Sequence, residues 1–310
     1  MPKNQKPKQK PAPRKGSKTS FVGRANEKEQ ILACLQAGRN VLLEGPVGAG
    51  KTTLALSVVQ ELGRPSFRID GDNRFNEQKL TGLFDPPAVL KKGYQWSTFL
   101  AGPLVEAMQK GGVLFINELN RLPEGVQNVL LPAIDEKKIV IPRLGEITAR
   151  EGFTVVATQN PKEFVATSHL SEAILDRFEL VVIDYQSEAE EKQIVAGALE
   201  ALDLPPDSGL VQASVTLARL TRGHPQIRRG ASVRAALAVA EIAAVLKKTG
   251  KPLAEAFTTA AVLALPTRIE MERDAEAEGG EGANLKKLIS ELTEKALAGS
   301  GSGSGEKKKI

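Results

Sequence analysis

One cysteine in 310 residues, Cys34, excludes an internal disulfide and points to a reducing cytoplasm as the compartment. It falls inside an amphipathic helical stretch and reads as a small buried filler, with no basic neighbour to make its thiol a nucleophile. Only two histidines are present, His169 and His224, far apart and without metal-type spacing, so both read as structural. Long apolar runs are missing as well. The longest, VLLEGP and GGVLFI, fall far short of the ~20 residues that a bilayer-spanning helix requires, so no membrane span is expected. The Lys- and Pro-rich start has no apolar core behind its charges, which excludes a secretory signal peptide. It also has no acid: residues 1–20 carry seven Lys/Arg, and the last five residues carry three Lys and one Glu. Of 42 basic and 37 acidic residues, 32 and 36 are left for the body, a net charge of −4. The sequence pI of 9.2 therefore belongs to the tails. The arm reads as a solvated disordered tail, with a contact to nucleic acid or an acidic partner as the other reading.

Apolar residues make up 41% of the chain, enough for a full globular core in one or two domains. Asn26 with Glu29 has the spacing of a capping box and predicts a helix through Ile31, Leu32 and Leu35, closed by Gly38. Asn40 to Glu44 reads as a short apolar strand and Lys51 to Leu62 as a helix. Buried-type strand signals return at Ser66 to Asp70, Val113 to Asn117, Phe153 to Thr158 and Glu179 to Asp184, with polar or helical sequence between. That alternation predicts an α/β fold, a parallel sheet wrapped by helices. KIVIPRLGEITA, with extended halves around Leu144-Gly145, reads as an inserted hairpin. From Ser187, which forms a second capping box with Glu190, the sequence turns Ala- and Leu-rich at helical spacing, with no strand-like run until about Pro266. The expected division is a basic arm over 1–20, a nucleotide-binding α/β domain over 21–186 and a helical lid over 187–270. An acidic, Gly-rich linker, a short helix striped by Leu285, Leu288, Ile289 and Leu292, and a flexible Gly-Ser tail follow over 271–310.

Chemistry concentrates at GPVGAGKT, which matches G-x-x-x-x-G-K-[ST] between a strand and a helix. Gly45, Gly48 and Gly50, with Pro46, Val47 and Ala49 between them, let backbone N–H groups turn inward around phosphates at a helix N-terminus. Lys51 is placed to reach the β and γ phosphates, Thr52 to give its hydroxyl oxygen to magnesium, and Thr53 to continue the cradle. ATP and Mg2+ are the implied cofactors. VLFINELN supplies a second group at the C-terminal end of a strand, where ligands of open α/β sheets collect. Phosphate-loop ATPases usually carry Asp-Glu there, whereas this chain carries Asn117 and Glu118. Asn117 can accept a hydrogen bond from a metal-bound water but adds no negative charge; Glu118 is the candidate general base.

INELNRLPEGVQNVLLPAIDE, then ATQNP, SEAILDRFEL and GASVRAA, in that order, resemble the MoxR branch of the AAA+ ATPases over roughly residues 20–265. The hairpin before ATQNP is similar to the one that marks the helix-2-insert superclade. The resemblance implies that Asn160 is the sensor orienting the attacking water and Arg177 an arginine finger acting on the adjacent subunit's nucleotide. It implies that Arg234 is a second sensor in the lid, and that Phe21, Val22 and Gly23 line the adenine pocket. Read without the family, Arg177 is a surface ion-pair arginine and Arg234 a helix-start cation. Arg228 and Arg229 compete with Arg234 for its role.

A finger acting in trans implies a homo-oligomeric ring, a hexamer by resemblance. Members of the branch are regarded as chaperone-like machines that remodel protein partners, often ones with a von Willebrand factor A domain. Adenine specificity also follows from the resemblance; the guanine-type Asn-Lys-x-Asp motif is missing. Two alternatives stay open. One is a nucleic-acid-directed motor such as a helicase or McrB-like translocase, for which the hairpin offers Lys137, Lys138 and Arg143. The other is a nucleotide-gated switch that hydrolyses little because of Asn117.

Overall fold

A computed structural model describes residues 22–160, 170–272 and 281–300; the basic arm with Phe21, His169, residues 273–280 and the Gly-Ser tail lie outside the described residues. The α/β part runs α1 (Ala25–Gln36), β1 (Asn40–Glu44), α2 (Lys51–Glu61), β2 (Ser66–Asp70), α3 (Glu77–Thr81), β3 (Gly82–Phe84), α4 (Pro86–Lys92), β4 (Phe99–Ala101) and α5 (Pro103–Lys110). It continues with β5 (Val113–Asn117), α6 (Glu124–Asp135), β6 (Lys138–Ile141), β7 (Gly145–Thr148), β8 (Thr154–Gln159), α7 (Glu172–Leu175) and β9 (Phe178–Val182).

Five strands form one parallel sheet in the order β2-β5-β8-β1-β9, the expected α/β architecture. The three central strands are buried on both faces, which is why they read as unbroken apolar runs. Both edge strands differ. In β2 only Ile69 is buried, and β9 leaves Leu180 and Val182 exposed. Because all five strands run the same way, the residues that follow β1, β5 and β8 gather along one edge of the sheet.

Local departures from the sequence reading have physical causes. Helix α1 begins at Ala25 behind Arg24, which sits in the left-handed region (φ 58) without a side-chain cap, so Asn26 lies in the first turn and its capping box does not form. Between β2 and β5 an antiparallel pair, β3 with β4, encloses α4, an insertion that strands of three residues gave no periodic signal for. The β6–β7 hairpin forms as expected, turning through Pro142 to Leu144 with Arg143 at φ 71.

The C-terminal part comprises α8 (Glu188–Ala201), α9 (Ser208–Arg222), β10 (Ile227–Arg229), α10 (Val233–Lys248), α11 (Leu253–Ala264), β11 (Glu270–Met271) and α12 (Glu281–Ser300). The Ser187–Glu190 capping box forms in full. The antiparallel pairing of β10 with β11 interrupts an otherwise helical stretch, a feature too short to be seen in the sequence. Alanines 235, 236, 240 and 243 let α10 pack closely on its neighbours, and Leu288, Ile289, Leu292 and Ala296 of α12 enter the same core. Ile289 is fully buried there. Ile289→Ala should lower the unfolding free energy by about 2–5 kcal/mol in urea denaturation; a change below ~0.5 kcal/mol, the level of an ordinary surface substitution, would mean that α12 does not contribute to this core.

Candidate nucleotide-binding site

The loop between β1 and α2 is shaped by backbone that other residues resist. Gly48 (φ 77) and Gly50 (φ 90) occupy the left-handed region, and a Cβ on Gly48 would come within 2.2 Å of the Ser232 hydroxyl. Only glycine permits both the turn and this approach of the helical part. Lys51 folds back over the loop, its ammonium donating to the carbonyls of Gly45 (2.7 Å) and Pro46 (2.9 Å). Ala49 is buried beneath. A cavity opens above, lined by Val47, Gly48, Gly50, Lys51, Thr52, Thr53, Asn117, Glu118, Thr158, Gln159, Asn160 and Arg234. The donor chemistry fits a phosphate chain: a Gly-rich backbone at a helix N-terminus, an ammonium and a guanidinium.

Thr52 donates from its hydroxyl to Asn117 Oδ1 at 2.8 Å, and Thr158 donates to the same oxygen at 3.1 Å. The other end of the amide, Asn117 Nδ2, donates to Asp70 Oδ1 at 3.0 Å. Glu118 has left-handed backbone (φ 59), and its N–H donates to the Thr158 hydroxyl at 2.9 Å. Its carboxylate is partly exposed and pairs with Arg121 at 3.0 Å. A hydroxyl next to an amide oxygen and a carboxylate is a hard-oxygen donor set of the kind that suits magnesium, which keeps several of its waters. Hydrogen bonds and charge from Arg68, with a further hydrogen bond from Asn117, hold the Asp70 carboxyl below its usual range.

The remaining expected residues divide into two groups. Asn160 and Arg234 line the cavity with the loop. Arg228 and Arg229 are taken by Glu270, which leaves Arg234 as the one of the three arginines at the phosphate loop. Arg177 is elsewhere. It precedes β9 at the opposite edge of the sheet, donates to both carboxylate oxygens of Asp135 (2.8 and 2.7 Å) and to the Ala173 carbonyl (2.6 Å), and does not line the cavity of its own chain. Val22 and Gly23 lie beside the segment after β9, where the Val22 carbonyl accepts from Gln186 Nε2 (2.7 Å) and Gly23 (φ 75) closely approaches the Glu190 carboxylate.

Three residues of the site were not singled out in the sequence. Arg24, only 7% exposed, ties the chain entry to the phosphate loop by donating to the Ala49 carbonyl (2.8 Å) and to the Asp184 carbonyl. Thr158 and Asp70 reach Asn117 from the two strands flanking β5, a neighbourhood set by strand order. Thr158 stands two residues before Asn160, inside the apolar run that reads only as a strand.

Residues 40–178 match the AAA domain of the dynein-related subfamily. An uncharacterized protein of Staphylococcus epidermidis is 27% identical over 220 residues, covering 70% of this chain and 83% of that protein. An uncharacterized protein of Staphylococcus aureus is 28% identical over 216 residues, covering 69% and 81%. Among solved structures, the Thermotoga maritima RuvB Holliday junction branch migration motor shares the fold with a TM-score of 0.53 at 20% identity, covering 78% of this chain and 70% of that one. A point variant of the same RuvB gives 0.55 at 21% identity, covering 78% and 71%. The chain thus carries the P-loop AAA+ fold followed by a helical part.

Thr158→Val keeps the shape and removes the hydroxyl that serves both Glu118 and Asn117. It should destabilise the protein by about 1 kcal/mol, the net worth of a part-buried hydrogen bond, as read from urea unfolding. Stability unchanged within error would show that the Glu118 backbone does not depend on this bond.

Proposed function

We propose that this chain is a MoxR-type AAA+ ATPase that hydrolyses ATP in a homo-oligomeric ring, a hexamer by resemblance, and uses the cycle to remodel a protein partner, with a von Willebrand factor A domain protein as the expected client. The observation that carries the reading is the convergence of Lys51, Thr52, Asn117, Glu118, Asn160 and Arg234 on one cavity while Arg177 stands at the far edge of the sheet. Five-residue strands separate the two edges by about 13 Å at ~3.3 Å per residue. An arginine there can serve a nucleotide only in a neighbouring copy.

Within the cavity each side chain has a task. Lys51 and the loop amides bind the phosphates, Thr52 and Asn117 face the cation, and Asn160 orients the water that Glu118 deprotonates. Magnesium, when bound with ATP, neutralises charge that develops on the phosphate oxygens. Arg234 brings positive charge from the helical part, and Arg177 brings it from the next subunit.

The nucleic-acid alternative draws on the fold shared with RuvB and on the hairpin cations. Those cations are engaged within the chain: Lys138 pairs with Glu146 at 2.9 Å, Arg143 stacks on the Tyr94 ring at 4.1 Å, and Lys137 lies over Phe153 at 5.4 Å. Together with the net acidity of the body, this favours a protein client.

Phosphate release measured across protein concentration tests the reading. Turnover per subunit should rise steeply with concentration and disappear in Glu118→Gln. Arg177→Ala should retain ATP binding and lose roughly a thousandfold in turnover. Mixing Glu118→Gln with Arg177→Ala subunits should restore activity, because some interfaces then pair an intact Glu118 with an intact Arg177. Mixed rings that form without regaining turnover would sink the shared site; ATP binding with no phosphate release by the parent chain would favour the nucleotide-gated switch.

A further inference from the structure

Resting on the magnesium–nucleotide reading of the same cavity, we propose that Asp70 supplies, through the Asn117 amide, the negative charge that the end of β5 lacks, and so sets the affinity of the site for magnesium. Asp70 ends β2, directly opposite Asn117 in the register of the two parallel strands. Its carboxylate accepts from Asn117 Nδ2 at 3.0 Å, and the oxygen of that same amide faces Thr52 at 2.8 Å. The charge therefore stands one amide away from the hydroxyl expected to meet the cation. The hydrogen bond also fixes which end of the amide faces Thr52: with the NH2 held by a carboxylate, the oxygen is left for the cation side.

The two positions constrain each other. Aspartate at 117 would set two carboxylates about 3 Å apart, and a pair so close does not ionise fully. Asparagine at 117 with aspartate at 70 keeps one full charge and a hydrogen bond between them. Arg68 donates to the same carboxylate through Nη2 at 2.6 Å, which weakens its field toward the cavity. Asp70 is a positioning residue in this account: it acts on the cation through Asn117 and takes no part in bond making.

Asp70→Asn separates charge from orientation, because its side-chain oxygen still accepts from Asn117 while the charge is gone. The readout is binding of ATP during a Mg2+ titration, with parallel measurements in EDTA. The magnesium concentration giving half the metal-dependent gain in ATP affinity should rise about three- to tenfold, the scale expected for loss of one partly screened charge. Affinity in EDTA should stay within about twofold, and the thermal midpoint should hold, since Asp70 is exposed. The swapped variant Asp70→Asn with Asn117→Asp should return the half-point to within about twofold of the parent. A half-point unmoved by Asp70→Asn, or a folded, ATP-binding swap that fails to recover it, would overturn the proposal. A parent chain that binds no ATP at any magnesium concentration would overturn the nucleotide reading itself, and the EDTA and parent measurements tell the two failures apart.

Discussion

Four segments of the α/β part meet on one primary amide. Thr52 at the start of α2 and Thr158 near the end of β8 both donate to Asn117 Oδ1, and Asp70 at the end of β2 accepts from its nitrogen. Remove that node and the phosphate loop loses its side-chain bond to β5, and β5 loses the side-chain bonds that supplement its backbone pairing with β2 and β8 where the cavity opens. The partners also explain why an amide can stand where a carboxylate is usual. Two hydroxyls need an acceptor and one carboxylate needs a donor, and a primary amide is the neutral side chain that offers both. Immediately beyond it the chain enters the left-handed backbone of Glu118, held by a further bond to Thr158. The candidate base is thus aimed by the same threonine that fixes the amide.

The helical part meets this edge through a short connection. Ser232 approaches Gly48 so closely that a side chain there has no room, and Arg234 follows on the first turn of α10. Behind it, Glu191 is almost fully buried between Arg222 (2.6 Å) and Arg219 (3.2 Å), and Arg222 stacks on the Tyr185 ring at 4.0 Å just after β9. A buried carboxylate shared by two arginines is costly to break on one side, because the partner left behind is an unpaired charge. This cluster ties α8 and α9 to each other and to the segment that follows β9.

The parts of this arrangement that were legible in the sequence are those in which local residue order is the physical cause. GPVGAGKT announces its loop because glycine is needed at set positions, and the central strands announce themselves because burial on both faces demands unbroken apolar runs. Arg24 was illegible for the opposite reason: a non-glycine residue in left-handed backbone is held there by distant carbonyls at Ala49 and Asp184. Asp70 and Thr158 belong to the site because β2 and β8 flank β5, and strand order is a property of the whole sheet. The β3–β4 and β10–β11 pairs went unread because two or three residues carry no period.

The parallel sheet also dictates how the chemistry is divided on the proposed reading. Lys51, Thr52, Asn117, Glu118 and Asn160 sit at or just beyond the C-terminal ends of β1, β5 and β8, and Arg234 comes from the helical part. Arg177 instead precedes the N-terminal end of β9, with its backbone carbonyl accepting from Asn40 at the start of β1. A strand of five residues is longer than any side chain, so no rotamer brings Arg177 into its own chain's cavity. Asp135, the last residue of α6, meanwhile holds the guanidinium by two hydrogen bonds. Helix α6 begins a few residues after Glu118, so Arg177 is braced by the helix that leads away from Glu118. Asn117 and Glu118 are thus joined to Arg177 through the backbone of α6 and the Asp135 ion pair at its end.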